Sequence, residues 1–188
     1  GSNSYNGVTG IGTGTSKAGS ATAFPNGAGV GNVIVDGGAT AAGVLDMNGF
    51  NLNLNGLDGA AGSVLGQGLN NSSSSNLLVL GNGDAAGTFS GTIRDGTGKL
   101  TLVKTGAGVQ GLNIPSAIAN SYSGGTVISN GTLVITSPGG GSPVNLNASQ
   151  AALGSGPITF YGSNGTLSLA GSSQPVAQST VPTWNNWS

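Results

Sequence analysis

Acid–base chemistry in this sequence would have to start from its aspartates, because the chain holds no histidine and no cysteine. The acids are Asp36, Asp46, Asp58, Asp84 and Asp95, and the bases are Lys17, Arg94, Lys99 and Lys104. Glycoside hydrolysis needs two carboxyls about 5 to 9.5 Å apart. The five aspartates are isolated from one another along the chain. Asp36, Asp58, Asp84 and Asp95 adjoin glycines or turn segments, where a short carboxylate favours turns. Only a fold that stacks distant segments would bring two together. Nucleophilic triads and zinc clusters lack their histidine and cysteine partners. Gly108 to Gly111 has no following Lys-Ser/Thr pair for a phosphate loop. Gly81-Asn82-Gly83-Asp84 is a single copy of a calcium-type turn and reads as a plain turn. Asn130-Gly131-Thr132, Asn147-Ala148-Ser149 and Asn164-Gly165-Thr166 fit the glycosylation sequon, which chance explains in so polar a chain. Arg94 and Asp95, with Lys99 and Lys104, read as a surface salt bridge or a solvated patch contributing about 0 to 1 kcal/mol. The residues therefore predict no catalytic, cofactor-binding or metal-binding site.

The bulk composition agrees. Of 188 residues, 38 are glycine and 5% are charged, with a net charge of −1. Four bases cannot make the basic stripe that a phosphate backbone demands, nor draw the chain to an anionic membrane. A disordered chain keeps itself soluble with charge, so this one is expected to fold behind a Ser, Thr, Asn and Gly surface. No apolar run approaches the ~20 residues of a membrane span. The absence of a leader and the opening on Gly1 suggest a processed product or a fragment. Few charges beside many hydroxyl and amide groups point to a secreted bacterial surface protein.

The elements that would position any site are short strands. Residues 1–31 are rich in Gly, Ser and Thr, with one or two weak strands. From 32 to 170 the strand rhythm is regular. Val33-Ile34-Val35 opens it, and Phe50-Asn51-Leu52-Asn53-Leu54-Asn55 alternates strictly, with Phe50, Leu52 and Leu54 facing one side and the asparagines the other. Leu57-Asp58-Gly59 reads as a turn. Leu77 to Leu80, Phe89 to Ile93, Leu100 to Val103, Val127-Ile128 and Leu133 to Ile135 follow. Pro138 to Pro143 reads as a loop, with strands at Val144 to Leu146, Ile158 to Phe160 and Leu167 to Leu169. Residues 171–188 lose the alternation. Pro175, Pro182, Trp184 and Trp187 mark a tail, linker or end-cap. Strand centres recur about every ten residues, which fits a sandwich, a barrel or a β-solenoid. Short strands, Gly/Asn turns and an internal repeat favour the solenoid. In that repeat, Asn3-Ser4-Tyr5-Asn6-Gly7-Val8-Thr9 matches Asn120-Ser121-Tyr122-Ser123-Gly124-Gly125-Thr126. Gly31-Asn32-Val33-Ile34-Val35 then matches Gly156-Pro157-Ile158-Thr159-Phe160.

Phe89 to Gly108 (FSGTIRDGTGKLTLVKTGAG), Asn120 to Ile135 (NSYSGGTVISNGTLVI) and Ala152 to Phe160 (ALGSGPITF) resemble the autotransporter-associated β-strand repeat. Val33 to Gly59 resembles sequence that precedes such repeats. The chain departs from the pattern at Val109 to Pro115 and Ser116 to Ala119, where an extra loop is expected, and it carries no outer-membrane barrel. The resemblance implies an all-β chain, a right-handed parallel β-helix (β-solenoid) exposed outside a bacterial cell, without catalytic residues or cofactors. At about 22 residues per coil, the chain would make roughly eight coils and a rod about 40 Å long. The function expected is a non-enzymatic structural module of a bacterial surface adhesin or self-assembling fibre. Its partners would be copies of itself or neighbouring repeat modules, meeting end to end through stacked strand edges. The alternative is a carbohydrate-active or polysaccharide-binding β-helix protein.

Overall fold

The computed structural model describes residues 2–36, 42–66, 75–113, 120–136 and 152–170. These residues form fourteen strands and no helix. Every recorded strand pair is parallel. Three stacks of strands alternate along the chain. The first holds β1 (Thr9–Ile11), β3 (Val33–Val35), β6 (Leu57–Gly59), β9 (Gly87–Phe89) and β12 (Val109–Asn113). The second holds β5 (Leu52–Leu54), β8 (Asn76–Leu80) and β11 (Leu100–Lys104). The third holds β2 (Gly14–Lys17), β4 (Gly43–Asp46), β7 (Val64–Gly66) and β10 (Thr92–Arg94). The long strands β13 (Thr126–Thr136) and β14 (Ile158–Ala170) join the first two stacks, because each runs through the corner between them. Their register shifts between Ile128 and Asn130, where the strand bends. The result is an all-β, curled parallel sheet, consistent with a β-solenoid.

Paired residues lie from 64 − 44 = 20 to 166 − 132 = 34 positions apart, so each strand meets the chain one winding earlier and one winding later. Windings are thus often longer than 22 residues, because corners carry loops of different length. Among the described residues seven levels stack in the first face, about 29 Å at about 4.8 Å per step.

Alternation fills the interior. One inward row of the first face runs Ile11, Val35, Gly59, Phe89, Leu112, Ile135 and Leu169. Gly59 leaves room for the next ring, since a Cβ there would sit 2.7 Å from Phe89 Cδ2. In the second face Leu52, Leu78 and Leu102 stack in one row, and Leu54 and Leu80 in another. All of these leucines are buried. Outward on that face, Asn53, Val79, Val103, Val127 and Thr159 form one ladder.

Three local expectations change. Leu57-Asp58-Gly59 is a strand, because Asp58 points outward between two paired neighbours. The loop expected at Val109 to Asn113 is strand β12, held on both sides by β9 and β13. Val127-Ile128 and Leu133 to Ile135, expected as separate strands, are parts of the single strand β13, which includes Asn130-Gly131. The strand at Val144 to Leu146, the loop at Pro138 to Pro143, the segment Ser116 to Ala119 and the tail 171–188 with Trp184 and Trp187 lie outside the described residues.

Candidate functional site

The polar groups of this chain converge on its corners, where they fasten one winding to the next. Asp58 accepts from Asn32 Nδ2 (2.7 Å), one winding earlier, and from the Thr88 N–H (2.7 Å), one winding later. Asp84, held at φ 63°, accepts from the Ala107 N–H at 2.6 Å. Asp95 accepts from Leu100 N (2.7 Å) within its own winding, then from Ser123 N (3.1 Å) and Ser123 Oγ (2.5 Å) in the next. Asp46 is buried at the end of β4 and accepts from the Asn48 N–H at 2.8 Å. Asp36 is exposed at the end of β3. The turn role expected of these aspartates is thus widened, since Asp58, Asp84 and Asp95 hold consecutive windings together. Asp95 directs its carboxylate to Leu100 and Ser123 within the patch expected around Arg94.

Asn55, expected to face outward, is buried, and its side-chain amide bonds the backbone of Gly27 and Val30. Four other buried groups, Lys104, Gln110, Asn120 and Tyr122, bear on the stacking. Lys104, read as part of a solvated patch, occupies the inward row between Leu80 and Ile128 and is fully buried. Its Nζ donates to the carbonyls of Thr105, Gly106 (2.9 Å) and Asn130 (3.3 Å), spanning two corners. Burial lowers its pKa below the usual lysine range, and the Asp84 charge opposes that shift. Gln110 is also fully buried, in the row of Val33, Leu57 and Leu133. The level between Leu57 and Gln110 is Gly87, which has no side chain, so the Gln110 amide reaches through it. Its Oε1 accepts the Leu57 N–H at 3.0 Å, and its Nε2 donates to the Leu57 carbonyl at 2.8 Å. A side-chain amide here replaces a main-chain rung, since β6 and β9 pair only at Gly59 and Phe89.

The other two surround Thr126. Asn120 accepts from the Ile93 N–H (2.8 Å) and donates to the Ala152 carbonyl (2.7 Å), bridging the windings before and after its own. Tyr122 is fully buried, with its hydroxyl 2.7 Å from Thr126 Oγ1. Thr126 Oγ1 in turn donates to the Leu153 carbonyl at 3.3 Å. Burial raises the Tyr122 pKa well above the ordinary phenol range, and the hydrogen bond to Thr126 offsets part of that rise. Period-2 alternation was the available signal for Lys104 and Gln110, because each falls two residues from a buried leucine.

A groove of about 390 Å³ crosses the outer surface of the first face, over Gly111. Thr88, Val109, Asn113, Val134 and Thr136 line it, and Asp58 is the one acid at its edge. Both Asp58 oxygens are already engaged by Asn32 and Thr88. Among the described residues no group of three or more acids could hold a metal ion.

Comparison with known proteins falls on the same corners. Residues 102–135 match the model of the passenger-associated-transport-repeat. That span contains Lys104, Gln110, Asn120, Tyr122 and Thr126. The chain is similar to the adhesin BmaC autotransporter of Brucella suis biovar 1 (strain 1330), 38% identical over 133 residues. The alignment covers 70% of this chain and 3% of that protein, so the chain corresponds to a small part of its relative. No solved structure matches the chain. The resemblance read from Phe89 to Ile135 is therefore shown: this chain carries an autotransporter passenger repeat.

Proposed function

We propose that the chain is a non-enzymatic structural segment of a surface adhesin, a right-handed parallel β-helix held outside a bacterial cell. The observation that carries this reading is where the repeat match falls. The matched residues include the buried groups that fasten windings together, so what the repeat specifies is stacking. Similarity to an autotransporter adhesin supports the surface location. The right hand follows from the strong preference of parallel crossover connections. With Asp58, Asp84 and Asp95 spent on backbone N–H groups, the reading gives the segment length and rigidity as its role.

In this account the segment meets neighbouring modules through strand edges. β14 supports that part, because its thirteen residues carry no charge to block pairing. It also exposes Tyr161, at 75% of its surface. The test is display. The chain is inserted between a secretion leader and an autotransporter barrel in a Gram-negative host. A folded passenger reaches the cell surface as a protease-resistant core. Retention inside the cell, or complete digestion at the surface, would refute the reading.

A further inference from the structure

An Asn-Gly pair is a weak point in any chain, because glycine leaves its nitrogen unshielded beside the asparagine side-chain carbonyl. This sequence holds seven such pairs. Partners on other windings hold four of them. The Gly27 N–H, whose nitrogen would attack Asn26, donates instead to Asn55 Oδ1 at 2.7 Å. Asn55 Nδ2 donates to the carbonyls of Gly27 and Val30. Asn82 Nδ2 donates to Asn26 Oδ1, and Asn48 Nδ2 to the Ala18 carbonyl at 2.8 Å. Asn6 and Asn164 are exposed. Asn130 is half-buried, and its side chain turns back on its own backbone. Its Oδ1 accepts the N–H of the adjoining Gly131 at 2.8 Å. The side-chain carbonyl thus lies folded over the nitrogen that can attack it.

An amine lies against the same residue. Lys104 Nζ is 3.3 Å from the main-chain oxygen of Asn130, and Lys104 is fully buried. Glycine at 131 permits that approach, since a Cβ there would stand 2.8 Å from Nζ. One winding on, Asn164-Gly165 stacks in register on Asn130-Gly131. The inward row carries Ile128 and then Phe160 after Lys104, so no lysine of that row accompanies Asn164.

We infer that Lys104 and Asn130 become joined by an amide bond that the folded chain makes unaided, a covalent staple between consecutive windings. In the first step Gly131 N bonds to Asn130 Cγ. The Cγ–Nδ2 bond breaks, and Nδ2 leaves as ammonia with the Gly131 N–H proton. The product is a cyclic imide that contains both acyl carbons of Asn130. In the second step the neutral Lys104 amine attacks the former main-chain carbonyl carbon, whose oxygen Nζ contacts in the structure. The bond from that carbon to Gly131 N breaks. One Nζ proton passes to that nitrogen, which stays bonded to Cγ. The chain loses one ammonia overall, and nothing is oxidised or reduced. Holding the amine against the carbonyl replaces a high concentration of free amine, and its burial favours capture over hydrolysis. Burial also lowers the Lys104 pKa towards the neutral form, against the opposing Asp84 charge. The link closes a loop of 26 residues in a chain that has no cysteine to close one. The inference does not depend on surface display.

To test it, the purified full chain is incubated at mildly alkaline pH until Asn6 or Asn164 has measurably hydrolysed to aspartate or isoaspartate, the internal reference. The chain is then mapped by mass spectrometry. The expected product is lighter by one ammonia and resists tryptic cleavage after Lys104. A second protease should release from it a branched peptide joining Lys104 to Asn130. Asn130→Ala and Lys104→Arg should each abolish the branched peptide. In Lys104→Arg, Asn130 should hydrolyse as the reference asparagines do. An intact Asn130 once the reference has hydrolysed would overturn the inference. So would aspartate or isoaspartate at Asn130 with Lys104 still cleaved by trypsin, or a lasting imide without the branched peptide. The wild-type chain alone separates these outcomes, so a variant that fails to fold leaves the test intact.

Discussion

Replacing Gln110 by leucine should remove a rung of the parallel ladder without changing the size of the side chain much. The wild-type amide satisfies both the N–H and the carbonyl of Leu57, which is fully buried. A buried polar group left without a partner costs about 1 to 3 kcal/mol. Two such groups therefore set the expected loss at about 2 to 6 kcal/mol, reduced to the extent that the leucine gains apolar contact with its neighbours. Urea unfolding followed by far-UV circular dichroism measures the loss, and hydrogen exchange at the Leu57 amide locates it. Gln110→Glu adds a check on sign. The protonated acid keeps both an acceptor and a donor for Leu57, whereas the carboxylate keeps only the acceptor and buries a charge. Burial raises the folded pKa of such an acid above its unfolded value. The variant's stability should thus be greatest at low pH and fall as pH rises through the folded pKa. A loss below about 0.5 kcal/mol for Gln110→Leu, with Leu57 exchange unchanged, would refute the assignment of that amide as a ladder rung.

Further predictions follow from the other buried groups. The Tyr122 phenol is held neutral by burial, so the folded state resists ionisation that the unfolded chain undergoes near pH 10. Stability from this group is complete below that pH and lost above it; absorbance at 295 nm should show a late-ionising tyrosine that Tyr122→Phe removes. Lys104 has the opposite sign. Its folded pKa is lowered, so the unfolded state binds the proton more readily and wild-type stability rises with pH towards the ordinary lysine range. Lys104→Met should cost about 1 to 3 kcal/mol near neutral pH, with a deficit that widens on alkalinisation, measured by urea midpoints across pH. Asp95→Ala removes the partner of Leu100 N and of Ser123 N and Oγ, and should destabilise by about 1 to 3 kcal/mol while speeding exchange at the Ser123 amide.

Much of the architecture was legible where alternation was clean. Leu52 and Leu54 are buried with exposed Asn53 between them, as their spacing requires. The repeat landmarks were also visible, and the structure gives their order a cause: in each copy the second landmark stacks on the first. The polar interior was harder to read. Lys104 sits in phase with Leu100 and Leu102, and Gln110 in phase with Leu112, so periodicity alone would place both inside. Their polarity argued for the surface, and only the stacked neighbours supply the carbonyls and the amide that satisfy them. Asp58 misled for a related reason. An Asp-Gly pair signals a turn, yet a carboxylate on the outer face of a short strand finds N–H donors from two other windings. The glycine at position 87 gave no local hint, because the space it leaves matters only once Gln110 stands one level away.

The central claim is that windings stack in parallel, in the register that sets Val79 beside Val103 and Val103 beside Val127. The chain has no native cysteine, so paired cysteines test it directly. Neighbouring strands hold such positions about 4.8 Å apart, within disulfide range, and two steps hold them about 9.6 Å apart, beyond it. Under mild oxidation Val79→Cys with Val103→Cys should form an intramolecular bond, and Val79→Cys with Val127→Cys should not. Failure of the first pair, or equal bonding by the second, would contradict the stacked register.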